Sequence, residues 1–90
     1  MSVRVNLTPY FYDVVDKHDF LQATGSTIRG VIEDIDRRYP GFKKEVFSTE
    51  GKVHDFIGIY VNQLQAFPDE LNYPVKENDE ISILTMIDGG

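Results

Sequence analysis

The chain has 90 residues, of which 41% are apolar and none is cysteine, and its formal net charge is −6. This length holds one domain with a two-layer core but no large enclosed active-site cavity. The missing cysteines exclude a disulfide scaffold, cysteine-ligated zinc, an iron–sulfur cluster and a cysteine nucleophile. The acidic balance argues against phosphate-neutralising nucleic-acid binding and against anionic lipid, and suits a basic protein partner.

Val3-Arg4-Val5-Asn6-Leu7 alternates with period two, which predicts a strand with Val3, Val5 and Leu7 facing inward. The start therefore reads as a strand, not a signal peptide; no apolar run approaches membrane-spanning length, and a cytoplasmic protein is expected. Thr8-Pro9 supplies a turn. A second strand is expected within Tyr10 to Ala23, interrupted at Asp16-Lys17-His18-Asp19, and the two strands read as an antiparallel hairpin.

The clearest helix follows, with Ser26 or Thr27 as N-cap and Ile28, Val31, Ile32 and Ile35 at the spacing of one buried face. Glu33, Asp34, Asp36 and Arg37 fall on or near its wet side. Arg37 and Arg38 favour the helix dipole in the last turn, and Pro40-Gly41 stops the helix. Glu45 to Ser48 is read as a short edge strand, and Glu50-Gly51 as a turn.

Phe56 to Asn62 is a strong strand, with Ile57, Ile59 and Val61 on one face and Phe56, Gly58 and Tyr60 on the other. Asn62-Gln63 begins a tight turn, after which Leu64 to Phe67 pairs back. Pro68 to Pro74 reads as loop, and Lys76-Glu77-Asn78-Asp79 as a turn in which asparagine takes the left-handed region. The last strand is Glu80 to Ile87. Ser82 marks its outward face, so Ile81 and Ile83 point to the core while Leu84 and Met86 point outward. These elements predict an α+β roll: a mixed sheet, one main helix across one face, and the closing strand lying centrally beside the first.

The chain ends on Gly89-Gly90. Two residues without side chains form a thin thread that can enter a narrow active site and present a carboxylate there.

Three stretches make the chain resemble the ubiquitin-like sulfur-carrier family of the β-grasp fold, which includes the molybdopterin synthase small subunit and the thiamine-pathway sulfur carrier. The helix from Thr27 through Arg38-Tyr39-Pro40-Gly41 is similar to the helix and "R-Y-P-G" stop of molybdopterin synthase small subunits. Val61-Asn62-Gln63 is similar to the family's V-N turn. Pro74 to Ile81 is similar to its P-L-x-x-G-D-E-V segment, which precedes a strand and a terminal G-G. Asn78 replaces the family's usual glycine, the loop from Phe67 to Tyr73 looks slightly extended, and Thr85-Met86-Ile87-Asp88 stands where many molybdopterin synthase subunits carry prolines.

The resemblance implies a β-grasp domain over residues 1–87 and a flexible tail over 88–90. It implies that an E1-like partner, using ATP, adenylates the Gly90 carboxylate, and that persulfide or sulfide then displaces AMP to leave a thiocarboxylate. That sulfur would serve an acceptor such as a molybdopterin synthase large subunit. Molybdenum cofactor synthesis is the favoured pathway, with thiamine or cysteine synthesis as alternatives. A modifier conjugated through Gly90 to lysines, or a plain interaction domain, are the competing functions. The chain itself would be no enzyme and bind no cofactor. Asp88 and Gly89 would thread the partner's channel, with Asp88 either meeting an arginine there or remaining a solvated charge, the more common case. From strand alternation, Leu84 and Met86 are expected to form a docking patch beside the tail; Phe56 and Tyr60 either extend it or pack on loops.

Other signals carry little. His18 and His54 lack ligand spacing. Asp69-Glu70 and Asp79-Glu80 lie in turns, where no cleft separates their pKa values. The aromatic cluster Tyr10-Phe11-Tyr12 has no basic groove around it for stacking single-stranded nucleic acid, and reads as core or hairpin packing.

Overall fold

In the computed structural model, which describes residues 1–66 and 69–86, alternation builds the first strand as expected. β1 (Ser2–Leu7) buries Val3, Val5 and Leu7 and pairs antiparallel with β2 (Phe20–Thr24), from Ser2↔Thr24 to Asn6↔Phe20. The second strand begins only at Phe20. Before it, Pro9–Phe11 forms a 3₁₀ turn, and Phe11 and Val15, four residues apart, are fully buried on successive helical turns. The Val15 N–H donates to the Phe11 carbonyl at 3.0 Å. Asp16 and Lys17 then take positive φ values of 56° and 62° to turn the chain back.

α1 (Ile28–Arg38) starts where Thr27 Oγ1 accepts the Gly30 N–H at 3.2 Å. Ile28, Val31, Ile32 and Ile35 are completely buried. Its polar side also serves the sheet. Asp34 accepts the Thr24 N–H at 3.1 Å and is held by Arg37 and Arg38, while Arg38 Nη2 donates to the Gln22 carbonyl at 2.7 Å. These contacts occupy backbone groups on the open edge of β2, which an unpaired strand would otherwise offer to another chain.

Of the edge strand expected over Glu45 to Ser48, Glu45 and Val46 are instead the end of a helix. Residues Phe42–Val46 form α2, which buries Phe42 and Val46 at i, i+4 spacing. Gly41, at φ 105°, turns the chain between the helices, and Asp36 Oδ1 accepts the Gly41 and Lys43 N–H groups at 3.2 and 2.9 Å. A residue from α1 thus satisfies donors at the start of α2. Extended pairing in this region is limited to the single bridge Phe47↔Val53.

β3 (Ile57–Val61) turns through Asn62 and Gln63, both at positive φ, into β4 (Leu64–Gln65). Phe67, the end of the segment expected to pair back, and Pro68, which begins the predicted loop, lie outside the described residues. Asn78, at φ 69°, completes the turn before β5 (Glu80–Thr85). The sheet order is β2-β1-β5-β3-β4, with β5 parallel to β1 and antiparallel to β3. The closing strand is therefore central, and α1 covers one face of the sheet, as in the β-grasp roll that the resemblance implies. Ile81 and Ile83 are fully buried beneath the helix. Ile87 lies outside the described residues.

Candidate functional site

Because β5 is flanked by β1 and β3, its C-terminal end is held on both sides. Cross-strand register places Leu84 opposite Gly58, and Ser82 between Asn6 and Tyr60. All of these lie on the face that α1 leaves uncovered. The Met86 N–H donates to the Phe56 carbonyl at 2.6 Å, which carries the pairing one step past the strand.

This uncovered face has two parts. Arg4 stacks on the Phe20 ring, 3.9 Å from its centroid, donates to Asn6 Oδ1 at 3.0 Å and lies 3.9 Å from Glu80. The other part, toward the end of β5, is apolar. Leu84 is 37% exposed and Met86 54% exposed. Gly58 leaves bare backbone beneath them. A Cβ at this position would lie 3.5 Å from Met86 Sδ and Cε and 3.1 Å from Tyr60 Cε1. Met86 and Tyr60 thus lean over the glycine from either side. A glycine inside an otherwise continuous strand pattern was the available sequence signal for this close approach.

The four candidate docking residues separate accordingly. Leu84, Met86 and Tyr60 come together over Gly58. Phe56 does not extend that surface freely: it packs against the core, its ring stacks on His54 at 5.1 Å and meets Tyr10 edge-on at 5.4 Å. Phe56 precedes β3, where strand alternation no longer dictates the direction of a side chain. Tyr10 sits at the margin, where partial burial and the neighbouring Glu45 carboxylate raise its phenol pKa. Asp88, Gly89 and Gly90 lie outside the described residues.

Nothing in this patch makes a nucleophile or an acid–base pair. Among the described residues no cluster of three potential metal ligands occurs. His54 Nε2 lies 3.3 Å from the Lys44 carbonyl, and His18 meets the edge of Tyr39. The carboxylates of the turns bond locally: Asp69 accepts from Asn72 at 2.9 Å, while Asp79 is held below the usual carboxylate range by the Asn62 amide and the Lys76 N–H. A general acid at neutral pH would need the opposite shift. Among the described residues, no helix is long and apolar enough to cross a membrane. What the site can do is present an apolar patch at the end of a rigid central strand.

Residues 9–90 match the profile of the ThiS family. The sulfur carrier protein CysO of Mycobacterium tuberculosis is 29% identical over 93 residues, spanning 100% of both chains. Among solved structures, a chain of the Amycolatopsis orientalis BexX/CysO complex superposes with a TM-score of 0.89 at 30% identity, covering 98% of this chain and 99% of that one. The crystal structure of Mycobacterium tuberculosis CysO gives a TM-score of 0.88 at 27% identity, covering 94% and 99%.

Proposed function

The chain belongs to the ThiS family, and from that premise we propose that it is a sulfur carrier, a folded handle whose reactive group is the Gly90 carboxylate. The observation that carries this reading is the extent of the family match, which runs through residue 90 and so takes in both terminal glycines. The alignment to the CysO carrier likewise spans the whole of both chains.

A carboxylate resists displacement because oxide is a poor leaving group. In the proposed cycle, an E1-like partner positions the Gly90 carboxylate against the α-phosphate of ATP. A carboxylate oxygen bonds to phosphorus as pyrophosphate leaves. Hydrosulfide then attacks the acyl carbon of the adenylate, AMP departs with the oxygen, and a thiocarboxylate remains. Gly89 and Gly90 supply a thread narrow enough for such a channel. Leu84, Met86 and Tyr60 supply the adjoining apolar contact, with Asp88 placed to meet a cation at the channel mouth. The partner contributes the catalytic groups, which accords with the lack of any catalytic constellation among the described residues.

Of the three pathways considered from the sequence, cysteine synthesis becomes the favoured one in place of molybdenum cofactor synthesis. The relatives matched along the full length are named as the sulfur carrier CysO. Intact mass spectrometry of untagged protein from its own host tests the reading. A gain equal to one oxygen exchanged for sulfur at Gly90 is expected. A ladder of conjugates on the lysines of other proteins, with no thiocarboxylate, overturns the reading in favour of a protein modifier.

A further inference from the structure

Beside the two helices lies an open groove of about 560 Å³. Its walls come from the first turn of α1, from α2 and from the loop that follows: Arg29, Lys43, Lys44, Phe47, Ser48 and His54. Three of the nine lysines and arginines of the chain line this groove, and no Asp or Glu among the described residues does. In a protein of net charge −6 that is a local reversal of sign. Among the described residues Arg29 and Lys44 have no ion-pair partner, and Lys43 only grazes Glu33 at 4.0 Å. Thr49 and Gly51 complete the lining, and the partly buried Phe47 forms part of an apolar surface between the cations.

We propose that this groove is a second docking surface, and that it takes an acidic segment of a partner protein carrying an aromatic or apolar residue between its carboxylates. The shape decides against a small anion. Small-molecule sites are enclosed and aim a few buried donors at one point, whereas here the cations stand exposed around an open apolar surface, the layout of a protein–protein contact. Charge decides the orientation. An acidic partner is repelled by most of the surface and is accepted only where its carboxylates meet Arg29, Lys43 and Lys44. Neither Leu84 nor Met86 lines the groove, although His54 borders both it and the hollow beside Met86 and Gly58.

The test uses the full chain and a short synthetic peptide with glutamates flanking one phenylalanine, followed by amide chemical-shift mapping. Shifts are expected at Arg29 and over residues 43–54, fading as salt is added. The Arg29→Gln/Lys44→Gln variant, with an unchanged melt, is expected to bind roughly five- to tenfold more weakly. Lys76→Gln, which removes a cation outside the groove, should change nothing. If the double variant proves unstable, Lys44→Glu alone makes the same comparison. Undiminished binding by a folded groove variant overturns the proposal. So do equal binding of a glutamine version of the peptide, shifts centred on Leu84 and Met86, or equal shifts from inorganic pyrophosphate with no gain from the phenylalanine.

Discussion

Asn62 and Asp79 lock two turns together, with Asn62 Nδ2 donating to Asp79 Oδ1 at 2.9 Å. The same asparagine accepts the Glu80 N–H on its Oδ1 at 2.9 Å, and its own N–H donates to the Glu80 carbonyl at 2.7 Å. Asp79 Oδ2 accepts the Lys76 N–H at 2.8 Å. The V-N turn and the N-D-E segment, separate signals along the chain, are thus halves of one connection. It sets where β5 begins, and hence where the apolar patch at its other end is held. Asn62→Ala removes these side-chain bonds and leaves a Cβ residue at φ 50° without local hydrogen bonding. It is expected to cost about 2 kcal/mol in urea unfolding. Asn62→Gly relieves the backbone term and should recover roughly half of that. Equal losses for the two variants would mean that the backbone conformation contributes nothing.

Asp79 and Asp34 make stability fall in acid. For Asp79 the cause is the Asn62 amide, then the Lys76 N–H. For Asp34, burial pulls upward, but the Thr24 N–H and the Arg37 and Arg38 guanidinium groups outweigh it. Both folded pKa values lie below the unfolded one of about 3.9. Their contribution is therefore complete above about pH 4 and is lost as pH falls through the folded values. Asp79→Asn and Asp34→Asn should each flatten the decline of unfolding free energy below about pH 4 relative to the parent chain. Curves that run parallel to the parent would remove these two carboxylates from the explanation.

Gly25 ends the first hairpin against the start of α1. A Cβ there would lie 2.7 Å from Val31 N and 2.9 Å from Gly30 C, both backbone atoms of the helix. Backbone cannot rotate aside as a side chain can, so Gly25→Ala must push the helix off the sheet. A loss of about 2–3 kcal/mol is expected. Gly58→Ala, which meets only the Tyr60 and Met86 side chains, should cost far less. Chemical denaturation of the two variants side by side gives the contrast.

The main strands and α1 were legible because each buries one face with the period of its backbone, and Ser82 sufficed to assign Ile83 to the core and Leu84 to the surface. α2 was not legible. A five-residue helix offers a single i, i+4 apolar pair, Phe42 and Val46, while Glu45-Val46-Phe47-Ser48 imitates a strand. The decision came from Asp36, which reaches across from α1 to take up donors at the start of α2. The Asn62–Asp79 bond spans 17 positions and depends on the sheet already being assembled, so no local pattern announces it. Phe56 lies just outside β3, where alternation stops governing direction, so the strand pattern leaves its side chain unassigned between patch and packing.

The tail is expected to be sensitive to bulk and unimportant to folding. A side chain at position 89 or 90 would clash with a channel that grips bare backbone. Gly89→Val and Gly90→Val should each abolish adenylation, read as ATP–pyrophosphate exchange with the cognate E1-like enzyme, while the thermal melt stays with the parent. Normal exchange by either variant would remove the narrow-channel argument.

Leu84→Asp separates docking from folding. Leu84 is 37% exposed on the uncovered face, whereas Ile83, one residue earlier, is fully buried. A carboxylate at position 84 stays in water in the free chain, so the melt should barely move. In the complex it would be pressed against the partner's apolar surface without a counter-charge. Binding to the adenylating enzyme should weaken by about tenfold or more, which corresponds to ~1.4 kcal/mol. The loss should fall on KM and leave kcat close to the parent value, because Leu84 does not touch the reacting carbonyl. Ile83→Asp places the same charge beneath α1 and should unfold the domain. If Leu84→Asp also collapses the melt, position 84 belongs to the core and the patch at the end of β5 does not exist as a free surface.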